Sequence, residues 1–332
     1  MGVLVTGGAG FIGSHMVLEL LDAGEEVLVL DNLSTGFRWA VPGGAKFVEG
    51  DVGDHNLVRR LLLRNSIDAI IHFAGSIVVP DSVSDPLGYY LNNTCKSRSL
   101  IACAVEMKVP HFIFSSTAAV YGMPDVNPVA EDAQLKPISP YGSSKLMTEI
   151  MLTDTAKAHD LCFVALRYFN VAGADPLGRS GQSTPKATHL IKVASETALR
   201  QRPFLEVFGT DYATADGTCV RDYIHVSDLT RAHLAALEYL REGGESEILN
   251  CGYGGGFSVL EVIEAVKRAS GNDFPVRFGP RRPGDPAAII AEAKRIEERL
   301  GWEPQYNDLD TIVGGALDWE KRLIEDRARV AS

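Results

Sequence analysis

Tyr141 and Lys145 stand four residues apart in the run Pro140-Tyr141-Gly142-Ser143-Ser144-Lys145, and Ser115-Ser116-Thr117 lies a short way upstream. Pro140 suits the first turn of a helix, and a helical pattern continues to about His159. Four residues along a helix bring the phenol and the ammonium onto one face. A nearby cation favours phenolate, so the pair could form a base from a group that titrates near ~10 when left alone. Service near neutrality requires a fall of roughly 3 units, about 4 kcal/mol of differential stabilisation. Tyr-x-x-x-Lys also occurs in many helices with no chemistry attached. The elements that would position the pair therefore decide what it means.

Those elements begin with a short apolar strand, Val3-Leu4-Val5, followed by Thr6-Gly7-Gly8-Ala9-Gly10-Phe11-Ile12-Gly13. Gly7, Gly10 and Gly13, spaced by three, allow a tight turn, close approach of backbone amides to a pyrophosphate, and close packing of a helix on a strand. The helix is expected from about Phe11 to Ala23. A second strand from Glu26 to Leu30 stops at Asp31, whose carboxylate arrives where a ribose diol would lie. An acid there disfavours a 2′-phosphate and predicts NAD over NADP. Further strands are expected at Lys46–Glu49, Ala69–Phe73 and His111–Ser115, with helices at Asn56–Asn65 and over most of Pro86–Met107. Such alternation predicts an α/β fold with a doubly wound parallel sheet covered on both faces. Asp31, Asp51, Ala74-Gly75 and Ser115 fall at carboxyl ends of strands, where ligands bind. Thr117 lies two residues beyond one such end and faces the same crevice.

A chain of 332 residues with 45% hydrophobic content and no apolar run long enough to span a bilayer predicts a soluble protein with ample core. The net charge of −11 disfavours nucleic acid or an anionic membrane as partner. An anionic ligand would need local cations. The five cysteines are odd in number and scattered, which predicts reduced thiols in the cytoplasm and no secretory leader. Eight histidines show no metal-ligand spacing, so no metal site is expected, and His72, His225 and His233 read as structural.

In the C-terminal half, Phe163–Arg167 reads as a strand ending in Tyr168-Phe169-Asn170. A Gly/Pro-rich loop from Ala174 to Pro185 predicts a mobile or ligand-ordered segment. Helices follow at His189–Arg202, Leu229–Arg241 and Val259–Ser270, with strands at Leu205–Phe208 and Ile248–Asn250. Residues 1–170 form one unit, to which segments such as 220–252 return; 171–332 are mainly a smaller α/β substrate-binding part. Arg221 and the loop Arg281-Arg282-Pro283-Gly284-Asp285 offer forked donors suited to a pyrophosphate, although loop arginines often only solvate an acidic surface.

The glycine run, Ser115-Ser116-Thr117 and Tyr141-x-x-x-Lys145 together resemble the extended short-chain dehydrogenase/reductase family, and more narrowly its UDP-glucose 4-epimerase branch. His72-Phe73-Ala74-Gly75, Val120-Tyr121-Gly122, Leu166-Arg167-Tyr168-Phe169-Asn170 and Val220-Arg221-Asp222-Tyr223-Ile224-His225-Val226 extend the likeness over nearly the whole chain. The resemblance implies a Rossmann-type fold, NAD as cofactor and a UDP-sugar as substrate. It makes Tyr141 the base and acid, sets Lys145 on the nicotinamide ribose, and gives Thr117 the sugar hydroxyl. NAD would lie against Gly7, Gly10, Phe11, Ile12, Gly13, Asp31, Asn32, Asp51, Val52, Phe73, Ala74, Gly75, Asn93, Ser115 and Tyr168. Arg221 and Arg282 would take the UDP phosphates, Asp285 its ribose and Asn170 the nucleotide sugar. Phe208, with Val207, would lie by the uracil, and His189 and Leu190 would border the substrate. Ile289 falls at the position that gates the sugar pocket. Homodimers through helices near Pro86–Met107 and Tyr141–His159 are likewise implied.

Two departures stand out. Thr117 replaces the serine of many members, and Ser76-Ile77 stands where many carry lysine after Phe-Ala-Gly, which predicts weaker NAD retention. Three rival readings remain: an epimerase of a related UDP-sugar (an N-acetylhexosamine or a pentose), a nucleotide-sugar 4,6-dehydratase and a non-catalytic NAD sensor. A dehydratase carries Asp-Glu directly after the catalytic Thr, whereas Ala118-Ala119 follow Thr117. A sensor typically loses the Tyr or the Lys, and both are present.

Overall fold

Apolar runs closed by glycine or polar residues form β1 (Gly2–Thr6), β2 (Glu26–Asp31), β3 (Lys46–Glu49), β4 (Ile67–His72), β5 (His111–Ser115) and β6 (Cys162–Tyr168). The computed structural model describes every residue but Met1, Lys186, Pro283 and Ser332. It pairs these strands in parallel and adds a seventh, Glu247–Cys251, outside β6. The order across the sheet is Glu247–Cys251, β6, β5, β4, β1, β2, β3. From β1 the chain winds outward to β3, then returns to lay β4 on the other side of β1. The topological switch point therefore opens between the carboxyl ends of β1 and β4, the usual place for a ligand.

Alternation along the strands builds two cores. Val3 and Val5 face α1 (Phe11–Asp22) and the helix Val226–Arg241; Leu4 faces the helices His55–Arg64 and Lys96–Glu106. All three side chains are fully buried. Burial on both faces explains why the strands read as continuous apolar runs.

The second part is assembled from short pieces. Asn170–Ala172 pairs with Tyr223–His225, Leu205–Phe208 with Val276–Gly279, and Val220–Arg221 lies between Phe257–Ser258 and Ala288–Ile289. Helices Leu190–Ala198, Val259–Ser270 and Leu309–Ala331 enclose a third apolar core.

Several boundaries differ from the sequence reading. Pro86–Met107 is broken into a turn of helix at Pro86–Tyr89, a π-helical turn at Tyr90–Cys95 and a helix at Lys96–Glu106. The helix expected over His189–Arg202 spans only Leu190–Ala198, and Arg200 beyond it has a positive φ of 61°. The helix expected from Leu229 starts at Val226 because His225 caps it, its Nδ1 accepting from the Ser227 amide at 3.1 Å. The loop Ala174–Pro185 is well anchored: the Ser180 and Ser14 hydroxyls are hydrogen-bonded at 2.8 Å, and Trp319 Nε1 donates to Ser183 Oγ at 3.1 Å.

Candidate active site

The glycine turn leads from β1 into α1 at the switch point. Gly7 has a φ of +72°, and a Cβ there would meet the Ala74 backbone at 2.6 Å; a Cβ on Gly13 would lie 2.1 Å from the Gly7 carbonyl oxygen. Gly10 is the N-cap of α1, with no side chain capping the first-turn amides and no acid among them. Those N–H groups are free to receive a pyrophosphate. Phe11 and Ile12 begin the helix. Asp31 closes β2 with both oxygens already fixed, Oδ2 accepting from the Ala9 amide at 2.9 Å and Oδ1 from the Leu33 amide at 2.8 Å. Each oxygen keeps a lone pair for a ribose hydroxyl, and its charge repels a 2′-phosphate.

Deeper in the crevice, Asp51 pairs with Lys96 at 2.5 Å. Burial alone would raise its carboxyl, but Lys96, the Gly53 amide and the Asn32 side chain hold it below the usual range. Val52 follows, buried. Phe73, Ala74 and Gly75 pass beneath Gly7. Asn93, on the π-helical turn, fixes the next residue by accepting from the Ser76 amide at 2.7 Å and donating to its carbonyl at 2.9 Å. Its amide also donates to Ser144 Oγ at 3.1 Å, which ties this loop to the helix carrying Tyr141. The residues present fit a dinucleotide.

That helix spans Pro140–Ala158, with Ser139 as N-cap. Tyr141 and Lys145 are both buried. Thr117 Oγ1 accepts from the Ala119 amide at 3.2 Å, which leaves its hydroxyl hydrogen for the Tyr141 phenol. Burial pushes the phenol up, and the Thr117 hydrogen bond draws it back. The spacing suggests Lys145 as the cation acting on Tyr141, and here the structure differs. The Lys145 ammonium lies 4.7 Å from the Phe114 ring centroid and faces Gly75, on the cofactor side. Burial brings it down to about 8, partly opposed by Glu149. Ser115 and Tyr168 hydroxyls are hydrogen-bonded beside the phenol.

Opposite this group stand the residues expected to hold a nucleotide sugar. Asn170, Gln182, His189, Leu190 and Tyr223 line one narrow pocket. Burial keeps His189 neutral by lowering it from its ordinary value. Arg221 donates to the Val220 and Pro286 carbonyls, both at 2.9 Å, and lies 3.8 Å from Asp285. Arg282 contacts Asp285 at 3.1 Å and lies 4.6 Å over the Phe208 ring. Two guanidinium groups thus flank one carboxylate beside a half-buried aromatic ring. Strand alternation turns the Val207 side chain into the third core, which leaves its backbone to face a ligand. Ile289 pairs with Arg221 in the short sheet and packs against Ala118 and Phe169.

The profile of the NAD dependent epimerase/dehydratase family matches residues 3–252. The chain belongs to that family. Among curated relatives, the UDP-glucose 4-epimerase of Azospirillum brasilense is 56% identical over 97% of this chain and 92% of its own. Among solved structures, the UDP-glucose 4-epimerase of Brucella ovis in complex with NAD is 45% identical with a TM-score of 0.93, covering 96% of this chain and 97% of that one. The UDP-Glc/GlcNAc 4-epimerase of Campylobacter jejuni is 50% identical with a TM-score of 0.85, covering 97% and 99%.

Membership in this epimerase/dehydratase family leaves some polar residues of the site without a role read from sequence. Asp222 is fully buried and accepts from the Tyr253, Gly254 and Ala291 amides. Burial raises its carboxyl to about 6 against those three donors. Lys192, just past Leu190, is paired with Glu320 of the last helix. A lysine or acid inside an otherwise amphipathic helix reads as its solvent face, so neither Lys192 nor Glu320 carried a signal, and Asp222, in the link between two short strands, reads as a loop acid. Among the described residues, no cluster of His, Cys, Asp or Glu could hold a metal ion, and no helix is long and apolar enough to cross a membrane.

Proposed function

We propose that the chain interconverts UDP-glucose and UDP-galactose at C4, with Tyr141 as the proton-transfer group and NAD as resident cofactor. The observation that carries this reading is the buried Thr117–Tyr141–Lys145 group, set between the glycine turn on one side and the Arg221–Asp285–Arg282 cluster on the other. NAD, when bound, supplies the two-electron oxidation and reduction of C4. Tyr141 takes the proton of the 4-hydroxyl and later returns it, oriented by Thr117. Lys145, turned toward Gly75, holds the nicotinamide ribose. Arg221 and Arg282 fix the pyrophosphate while the 4-keto sugar turns over within the site. Binding energy gathered on the remote nucleotide is thereby available at C4.

Residues 1–170 with 220–252 hold the dinucleotide in this reading, and the remainder holds the nucleotide sugar. Val83, Leu87 and Leu91 are exposed beside Met147 and Ile150 of the catalytic helix. This apolar face fits a second copy of the chain, and a monomer at micromolar concentration in sedimentation would exclude that assembly. Five unpaired cysteines suit the cytoplasm.

Ile289 supports a second, broader substrate range. It is smaller than tyrosine and β-branched, so beside C2 it would leave room that a tyrosine fills; the Campylobacter jejuni relative is named for both sugars. Discrimination of one methylene-sized group is worth only ~1–3 kcal/mol, so a graded preference is expected. Purified protein, given UDP-galactose without added NAD, should form UDP-glucose, and UDP-N-acetylgalactosamine should turn over more slowly. No UDP-glucose even with NAD added, or a 4-keto-6-deoxy product, would overturn the assignment.

A further inference from the structure

Beneath the proton-transfer group lies a buried ion pair that the mechanism above does not use. Glu149 stands four residues after Lys145 on the catalytic helix and is 2% exposed; Arg167, on β6, is 3% exposed. Arg167 grips the carboxylate with both arms of its fork, Nε to Oε1 at 3.0 Å and Nη2 to Oε2 at 2.7 Å. The Ser116 hydroxyl donates to Oε1 as well. One carboxylate thus receives three donors from two elements, β6 and the segment after β5.

Ser116 is the middle of three consecutive residues with three different partners. Ser115 bonds Tyr168, Ser116 bonds Glu149, and Thr117 bonds Tyr141. Glu149 therefore ties the Thr117 segment to the helix that bears Tyr141 and Lys145. The network continues on the far side of Arg167. Nη1 donates to the Tyr121 hydroxyl at 2.9 Å and the Glu131 carbonyl at 3.2 Å, and Tyr121 donates to Asn250 Oδ1 at 2.6 Å. Asn250 in turn holds the Val129 carbonyl at 2.8 Å.

We infer that Glu149 is a positioning residue: clamped by Arg167, it sets the distance and angle between Thr117 and Tyr141 and supplies the negative charge that keeps Lys145 protonated. This rests on the reading of Tyr141 as the proton-transfer group. A buried ion pair is a weak source of net stability, because desolvation offsets most of the attraction. Its worth here is geometric, since fork and carboxylate admit one arrangement.

The sign of the electrostatic effect follows from what surrounds the pair. The groups facing it are Lys145 on the same helix, Arg167 from β6, Tyr121 and Glu131 from the segment after β5, and neutral His72 from β4, which bears on Lys145. Replacing Glu149 by Gln keeps an acceptor but removes the anion and leaves the Arg167 cation unopposed. Both changes favour loss of the Lys145 proton and of the Tyr141 proton. Both limbs of the pH–kcat profile should move toward acid.

The test measures kcat, KM and pH profiles for Glu149→Gln, Ser116→Ala and Tyr141→Phe. Glu149→Gln should lose about 10-fold or more in kcat at neutral pH, with KM for the UDP-sugar within about twofold, because the nucleotide is held elsewhere. Ser116→Ala should lower kcat severalfold with both limbs unmoved. An unchanged kcat in both variants, or a Glu149→Gln loss with stationary limbs, overturns the inference. If Glu149→Gln does not fold, Glu149→Met/Arg167→Met removes both charges and leaves none orphaned; wild-type kcat in that variant is equally decisive against the role. Tyr141→Phe separates the two claims. Full activity there sinks the reading of the site itself, whereas an inactive Tyr141→Phe beside a normal Glu149→Gln sinks only the positioning role.

Discussion

At the scale of single residues, the site depends on how a phenol that burial pushes up is brought into working range. Among the described residues, the only group drawing Tyr141 down is the Thr117 hydroxyl, since Lys145 turns to the cofactor side. Tyr141→Phe should therefore cost at least ~10²-fold in kcat, the scale of general acid–base help. Thr117→Val removes a donor that favours phenolate, so the acid limb of its kcat profile should move to higher pH, and Thr117→Ser should restore it. An acid limb unmoved in Thr117→Val would show that the hydroxyl does not tune the phenol. Tyr141, Lys145 and Thr117 were legible in the sequence because their spacing and the strand end before them are local signals. Glu149 and Arg167 were not. Their bond joins residues 18 positions apart, on a helix and a strand, and each alone reads as a solvated charge.

At the scale of elements, the sheet was readable because its inner strands are apolar runs with a glycine or polar stop. The second part was far less so. Its strands are two to four residues long, and pairs such as Val220–Arg221 with Ala288–Ile289 exist only through tertiary contact. The final helix, Leu309–Ala331, was missed because Gly314-Gly315 interrupt its pattern, and glycine costs about 1 kcal/mol per helical position. The π-helical turn Tyr90–Cys95 has no sequence signature, yet it places Asn93 against the Ser76 backbone. That clamp fixes the loop after Gly75 and leaves Ile77 half exposed where many family members carry lysine. Ile77→Lys would add a cation at the mouth of the cofactor crevice without disturbing the Asn93 clamp. One charge-assisted contact at a partly exposed site should slow NAD loss about three- to tenfold. The measurement is the NAD retained after gel filtration of the two proteins prepared side by side, and equal retention would remove Ile77 as the cause of any weak binding.

At the scale of the whole molecule, both faces of the sheet and the seam between the two parts are sealed over histidines. His72 lies between the Thr6 and Ser97 hydroxyls at 2.7 and 2.8 Å, His15 packs under the Ser180 loop, His225 caps a helix, and the His233 ring lies tilted 4.8 Å from that of Phe73. Burial lowers His72 to about 3 and the other three to about 4. Unfolded, each returns to its ordinary value of 6.5. Between those limits the unfolded chain binds protons that the folded chain refuses. Stability is therefore full above about pH 6.5 and falls as acid is added, by up to about 1.4 kcal/mol per pH unit for each such ring. His233 isolates the effect, because its Nε2 is buried without a partner and its loss breaks only one bond, to the Leu229 carbonyl. His233→Phe should be destabilised at neutral pH yet lose less stability on acidification, so that its denaturation curves approach those of the parent toward about pH 4.5. The comparison requires saturating NAD throughout, since a ligand that binds only the folded state shifts its apparent stability. Curves that stay parallel from about pH 7 to 4.5 would show that His233 does not titrate with unfolding, and the acid sensitivity would then belong to the remaining histidines and the carboxylates.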